Sequence, residues 1–193
     1  MCIITSKTKI TYHLGDLDKM KNVKKLLKKK YRHIKHIEDF KELSNTILNS
    51  ETVLSMNKYC HHHNTNTLHH SVAVAFYSYK LAKMFKIRCD MQSLVRGALL
   101  HDYYLYDWRD RLKEHNLHGF RHPRRAMVNA VKDFSVNQNE QNIILRHMFP
   151  LVPIPPKTVE GAIVCIMDKA CAIYELFKAE PYKHNLVKKL SLA

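Results

Sequence analysis

His101 and Asp102 close the run Gly97-Ala98-Leu99-Leu100, an apolar segment that reads as buried. Neither side chain tolerates burial unless it is paired, hydrogen-bonded or bound to an ion. Asp168 raises the same question in the middle of "GAIVCIMDKACAIYELF", a helix-length stretch that is apolar on every side. Taken alone, it is equally explained by a buried ion pair with lysine or arginine. His147 follows Ile143 and Ile144 on one helical face, and His70 opens the apolar stretch "SVAVAFYSYKLA". His122 precedes Pro123, a residue that favours the first helical position, so it stands at an expected helix start. A lone histidine on an apolar face is usually a core residue satisfied by one hydrogen bond. Spread over several helices, however, these six residues match the way bundles build metal sites from side chains on facing helices. Imidazole and carboxylate without thiolate suit Fe, Mn, Zn, Ni or similar divalent ions.

The segment "CHHHNTNTLHH" is richer in histidine, yet it is polar and unpatterned and reads as a loop, where nothing fixes ring orientation. Of its five histidines only His70, at the junction with the helix, is expected to bind metal. His62 is a candidate outer partner, and the others are expected to be solvated. The five cysteines are scattered and contain no CxxC pair, which argues for reduced thiols in a cytoplasm rather than a disulfide framework. No apolar stretch approaches the roughly 18–20 residues of a membrane span, and the amino terminus lacks the apolar core of a secretory signal.

Helical periodicity dominates the rest. An amphipathic helix is expected over 17–34, then helices over 37–48, 51–59, 71–85 and 91–103, the last capped by Asp90. Residues 107–121 look irregular; further helices are expected from 122, over the segment ending at His147, and from Thr158 to about Lys178. On this last helix Val159, Ile163, Ile166, Ala170, Ile173 and Phe177 form one stripe. No β pattern or repeat is visible. The reading is an all-α helical bundle with a basic extension over 1–50 packed on it, a core domain over 51–180 and a tail over 181–193. The net charge is +15, and residues 1–36 hold eleven basic residues against two acidic ones. Such a field favours anionic partners, namely phosphorylated small molecules, or nucleic acid through the basic amino terminus.

The pattern in which His70 opens "HSVAVAFYSYKLA", His101 and Asp102 end "ALLHD", and Asp168 lies in "AIVCIMDKAC" resembles the HD-domain superfamily of metal-dependent phosphohydrolases. The order H…HD…D covers roughly residues 60–178. "HPRRAMVNA" and "IILRHM" are similar to the extra histidine segments of the dinuclear members. The resemblance implies a helical HD bundle with His70, His101, Asp102 and Asp168 on one divalent ion (Fe, Mn, Ni, Zn or Mg). His122 and His147 would hold a second, with Asp102 bridging; His118 competes with His122 for its place. It implies hydrolysis of a phosphate ester or nucleotide by a metal-bridging hydroxide. Many relatives follow "HD" with glycine and lysine, where this chain has Tyr103 and Tyr104; Lys169, Arg124, Arg125 and His118 remain as substrate contacts. Other HD-fold proteins are di-iron oxygenases or regulatory modules.

Overall fold

No glycine or proline occurs between residues 16 and 96, so side-chain chemistry alone decides where the first helices stop. The computed structural model describes residues 14–62, 65–110, 117–178 and Tyr182. Helix α1 runs unbroken over Leu14–Leu48, where two helices with a break near residue 35 were expected. Nothing at that point lacks helix propensity, and the chain continues. The chain divides into two compact units, residues 1–36 and 37–193. In the first, Val23, Leu26, Leu27 and Ile34 are exposed, as are Lys21, Lys24, Lys25 and Lys28. In the second, the end of α1 contributes Phe40 and Ile47 to the core, with the Phe40 ring edge-on to Phe76 at 5.3 Å.

After the short α2 (Glu51–Leu54) and a single 3-10 turn (Ser55–Lys58), the expected loop is an antiparallel hairpin. Its strands are β1 (Cys60–His62) and β2 (Thr65–Asn66). Helix α3 (Thr67–Met84) starts four residues earlier than the apolar pattern indicates, because the Asn66 side chain accepts from the His69 backbone N–H and caps it. Val72, Ala73, Val74, Ala75 and Tyr79 are fully buried, so α3 is the central helix. It packs on α4 (Met91–Leu100) and α7 (Val159–Phe177). Asp90 caps α4 as expected, accepting from the N–H groups of Gln92 and Ser93. Helix α6 (Gln138–Arg146) opens on a reciprocal capping box between Asn137 and Glu140 and packs on α4, on α5 (His118–Phe134) and on α7.

The start of the fifth helix differs from expectation. Helix α5 spans His118–Phe134, so Pro123 lies inside it and His122 is not its start. Leu117, at φ 58°, turns the chain into an extra first turn, and the His122 imidazole N–H donates to the His118 carbonyl. On α7, Val159, Ile166, Ile173 and Phe177 of the apolar stripe are exposed, although Ile163 is buried. The buried face is Gly161, Val164, Asp168, Cys171 and Glu175. Between two apolar faces, the one whose polar groups find partners inside is the one that turns inward. Among the described residues, no helix is long and apolar enough to cross a membrane.

Candidate metal centre

Six side chains from five helices converge at one buried point. His70 comes from the first turn of α3, and Asp168 from the middle of α7. His101 and Asp102 sit in the turn that ends α4, while His122 projects from α5 and His147 caps α6. None is more than 7% exposed. Gly97 brings α4 close to α6: a Cβ there would lie 2.6 Å from Ile143 Cδ1.

The ring orientations follow from backbone acceptors. His101 Nδ1 donates to the Ala98 carbonyl (2.6 Å), His147 Nδ1 to Ile144 (2.8 Å) and His122 Nδ1 to His118 (2.9 Å). A carbonyl can only accept, so in the neutral rings Nε2 carries the lone pair. His70 is held likewise, its Nδ1 2.8 Å from Glu175 Oε1. Every one of these Nε2 atoms meets another electron-rich atom. The Nε2 atoms of His122 and His147 are 2.9 Å apart. His70 Nε2 is 3.1 Å from Asp168 Oδ1, and His101 Nε2 is 3.5 Å from Asp102 Oδ2 and 3.7 Å from Asp168 Oδ1. His122 Nε2 approaches Asp102 Oδ1 at 3.2 Å, and His147 Nε2 does so at 3.6 Å. His101 Nε2 and Asp102 Oδ1 are buried without a hydrogen bond. Lone pairs converging at such distances call for cations among them, and this donor set fits divalent metal.

Burial and close charges set the protonation states of the metal-free site. Burial pushes the Asp102 carboxyl up, but the neighbouring His101, His122 and His61 outweigh it and hold it well below the usual range. Asp168 is likewise held well below that range, burial being overcome by His101 and His70. His147 is driven down to about 3 by burial and by His101 and His122, so it stays neutral. Burial also lowers His70, yet Asp168 and Glu175 prevail and raise it to about 9. Ionised carboxylates and a neutral His147 are ready for ligation, whereas His70 and His101, the latter lowered by burial but raised more by Asp102 and Asp168, must give up a proton to bind metal.

Two residues here were not anticipated. His61, expected to be solvated, has its Nε2 3.0 Å from Asp102 Oδ2, and its ring stacks on His70 at 3.6 Å between centroids. Glu175 receives His70 Nδ1 on one oxygen and lies 3.4 Å from His61 Nδ1 with the other. Glu175 was legible, lying two turns beyond Asp168 on the same face of α7. His61 was not, because a hairpin of three and two residues leaves no periodic pattern. The side chain of His62, the expected outer partner, lies outside the described residues. His61, His70 and Asp102 form one group of ligand atoms within 4.8 Å of one another. His70, His101 and Asp168 form a second, and His101, Asp102 and His147 a third.

A cavity of about 640 Å³ opens onto the centre. Lys169 and His118 line it, together with Trp108, Met148 and Leu151. The Lys169 ammonium donates to the His147 carbonyl and to Asp168 Oδ2. The His118 ring stacks between Trp108 (5.8 Å) and His122 (4.6 Å), and its Nδ1 is 2.8 Å from the Tyr106 hydroxyl. Thus His118 borders the cavity while His122 reaches the centre. Arg124 lines a separate pocket with Phe120 and Leu145, and Arg125 lies over the Tyr106 ring at 5.0 Å. The two tyrosines after "HD" are core residues: the Tyr103 hydroxyl donates to Asp133 and that of Tyr104 pairs with Thr67.

With the centre described, its kinship can be stated. The HD domain family matches residues 67–173, more than half of the chain, and the chain belongs to that family. Most members of that family are metal-dependent hydrolases. Neither the curated proteins nor the solved structures contain a match.

Proposed function

We propose that the chain is a metal-dependent phosphohydrolase that cleaves a phosphate ester or nucleotide at a pair of divalent ions. His70, His101, Asp102 and Asp168 hold one ion, and His122, His147 and Asp102 the other. The observation that carries this reading is the division of labour within Asp102. Its Oδ1 faces His122 and His147, whereas its Oδ2 faces His101. One carboxylate shared between two imidazole sets is what a bridge requires. Bound there, divalent ions make water a nucleophile at neutral pH and neutralise the charge that grows on a phosphoryl group.

The chain's own residues do the rest. Lys169 reaches the cavity with a third N–H beyond the two it donates, and supplies the positive charge that a substrate phosphate meets. Trp108 and His118 offer a stacked face to the remainder of the substrate, and the largely apolar wall limits bulk water. Cys89, Cys165 and Cys171 are free thiols, which supports a reducing, cytoplasmic setting.

The test is metal analysis of freshly purified protein, then anaerobic reloading with Mn, Ni or Fe and assay of phosphate release from monoesters and nucleotides. Oxygen uptake is followed in parallel with the iron-loaded protein. Phosphate release without oxygen uptake supports the proposal; oxygen uptake without phosphate release replaces it with the di-iron oxygenase chemistry found elsewhere on this fold.

A further inference from the structure

We propose that His61 is a seventh metal ligand, supplied by the β1–β2 hairpin and held in place by Glu175, so that metal binding locks the hairpin to the helical core. The inference rests on the metal reading above and adds to it a donor from outside the helices.

Four observations carry it. First, His61 and His70 form a parallel pair, 3.6 Å between centroids and 16° between planes, with both Nδ1 atoms turned to the same carboxylate. Glu175 presents Oε1 to His70 at 2.8 Å and Oε2 to His61 at 3.4 Å. At His70 the carboxylate accepts from Nδ1 and leaves the lone pair on Nε2, the arrangement in which an outer carboxylate fixes the tautomer of a ligating histidine, whereas at His61 the same carboxylate makes a close ion-pair contact rather than a hydrogen bond. Second, the two Nε2 atoms then emerge side by side, His70 toward Asp168 and His61 toward Asp102 Oδ2 at 3.0 Å. Third, the His61 side chain is 11% exposed although it sits on a three-residue strand, so the fold spends core space on it. Fourth, the hairpin is fastened at the same place: the Trp108 indole N–H donates to the Cys60 carbonyl (3.0 Å), one residue before the ring. His61 also lines the cavity that carries Lys169 and Trp108, so the proposed ligand stands where the substrate enters.

The consequence is mechanical. The six other donors are fixed by helices whether or not metal is present. His61 rides on a strand of three residues, and its position depends on Glu175 and the ion together. Metal therefore orders residues 60–62 and 65–66 more than any helix.

The experiment compares full-length wild type with His61→Ala and Glu175→Gln, using Mn and Co(II) as the probes. Expected are a Kd for metal raised at least tenfold by His61→Ala and raised less by Glu175→Gln. A changed visible spectrum of the Co(II) form is expected with His61→Ala, reporting a lost ligand. Apo-protein Tm should move little with His61→Ala, because a purely structural role would act there. Hydrogen exchange of wild type, which needs no variant to fold, should show metal-dependent protection at residues 60–62. If wild type binds metal but His61→Ala leaves Kd and the Co(II) spectrum unchanged, or if metal gives no protection to β1, His61 is not a ligand and the six-residue centre stands. If wild type binds no metal while remaining folded, the metal reading itself falls, and this inference with it.

Discussion

Asp102 reaches histidines from three helices and one hairpin, so its removal should disable the whole centre rather than one half. Asp102→Ala is expected to weaken metal binding by more than the ~10–100-fold that loss of an outer-shell partner costs, and to bring phosphate release to background. Metal content of the purified variant is the check; an unchanged content would exclude Asp102 as a ligand. His70 makes a second prediction through its proton. In metal-free protein its pKa is raised from 6.5 to about 9, burial being outweighed by Asp168 and Glu175. A raised pKa contributes stability that is complete below 6.5 and is lost as the pH climbs through 9. Glu175, lowered from 4.5 to about 2 by His61 and His70 against burial, acts in the opposite direction. Its contribution is complete above 4.5 and disappears as the pH falls toward 2. Protein kept in chelator should therefore lose Tm above pH 6.5, and Glu175→Gln should flatten the acid limb. Metal displaces the His70 proton, so binding below pH 9 should release protons and tighten as pH rises. Calorimetry in buffers of different ionisation enthalpy measures that release; a proton count of zero would place the metal away from His70.

Elements position these residues, and Gly97 is the tightest point among them. A Cβ there would meet Ile143 Cδ1 at 2.6 Å, Cβ at 3.0 Å and Cγ2 at 3.1 Å. The first of these atoms can swing aside, but the other two sit against the α6 backbone and cannot. Gly97→Ala should thus push α4 from α6 and cost ~1–3 kcal/mol, the usual range for overpacking. Because α4 ends on His101 and Asp102 and α6 ends on His147, metal affinity should fall together with Tm. Ile143→Ala in the same chain removes two of the three clashing atoms and should recover part of both. A Tm that fell with metal affinity intact would mean that the centre tolerates the shift. The elements also mark what the sequence could convey. Capped helices such as α4 and α7 were readable because Asp90 and Thr158 announce their starts. The convergence of His70, His101, Asp102, His122, His147 and Asp168 was readable as polar residues on apolar segments. The start of α5 was misread because proline preference for the first turn is local, while the extra turn from His118 depends on Leu117 adopting φ 58°. The hairpin and His61 left no signal, since such short strands are held by pairing with their neighbour rather than by any period of their own.

At the scale of the whole molecule, charge and chemistry are separately placed. Every residue of the centre lies in the unit 37–193, whereas residues 1–36 carry eleven of the basic residues and two acidic ones, a net +9 within a total of +15. If the substrate is a phosphorylated small molecule, the first unit contributes field rather than contacts. Removing residues 1–36 should then leave metal content and kcat near wild type. It should lower kcat/KM for an anionic substrate several-fold at low ionic strength, where the Debye length is ~30 Å. Near 1 M salt, with a Debye length of ~3 Å, full-length and shortened chains should coincide. A gap that persists at high salt would mean that the first unit supports the centre directly. The same pair of chains decides whether nucleic acid is a partner. A basic segment that neutralises phosphates releases counterions, so log Kd for DNA or RNA must vary linearly with log salt, with a slope near −0.9 per duplex phosphate for the association constant. If the full chain shows that slope and the shortened chain loses it while small phosphates are still turned over, the two units serve different anions. If neither chain shows it, the +9 serves the substrate alone.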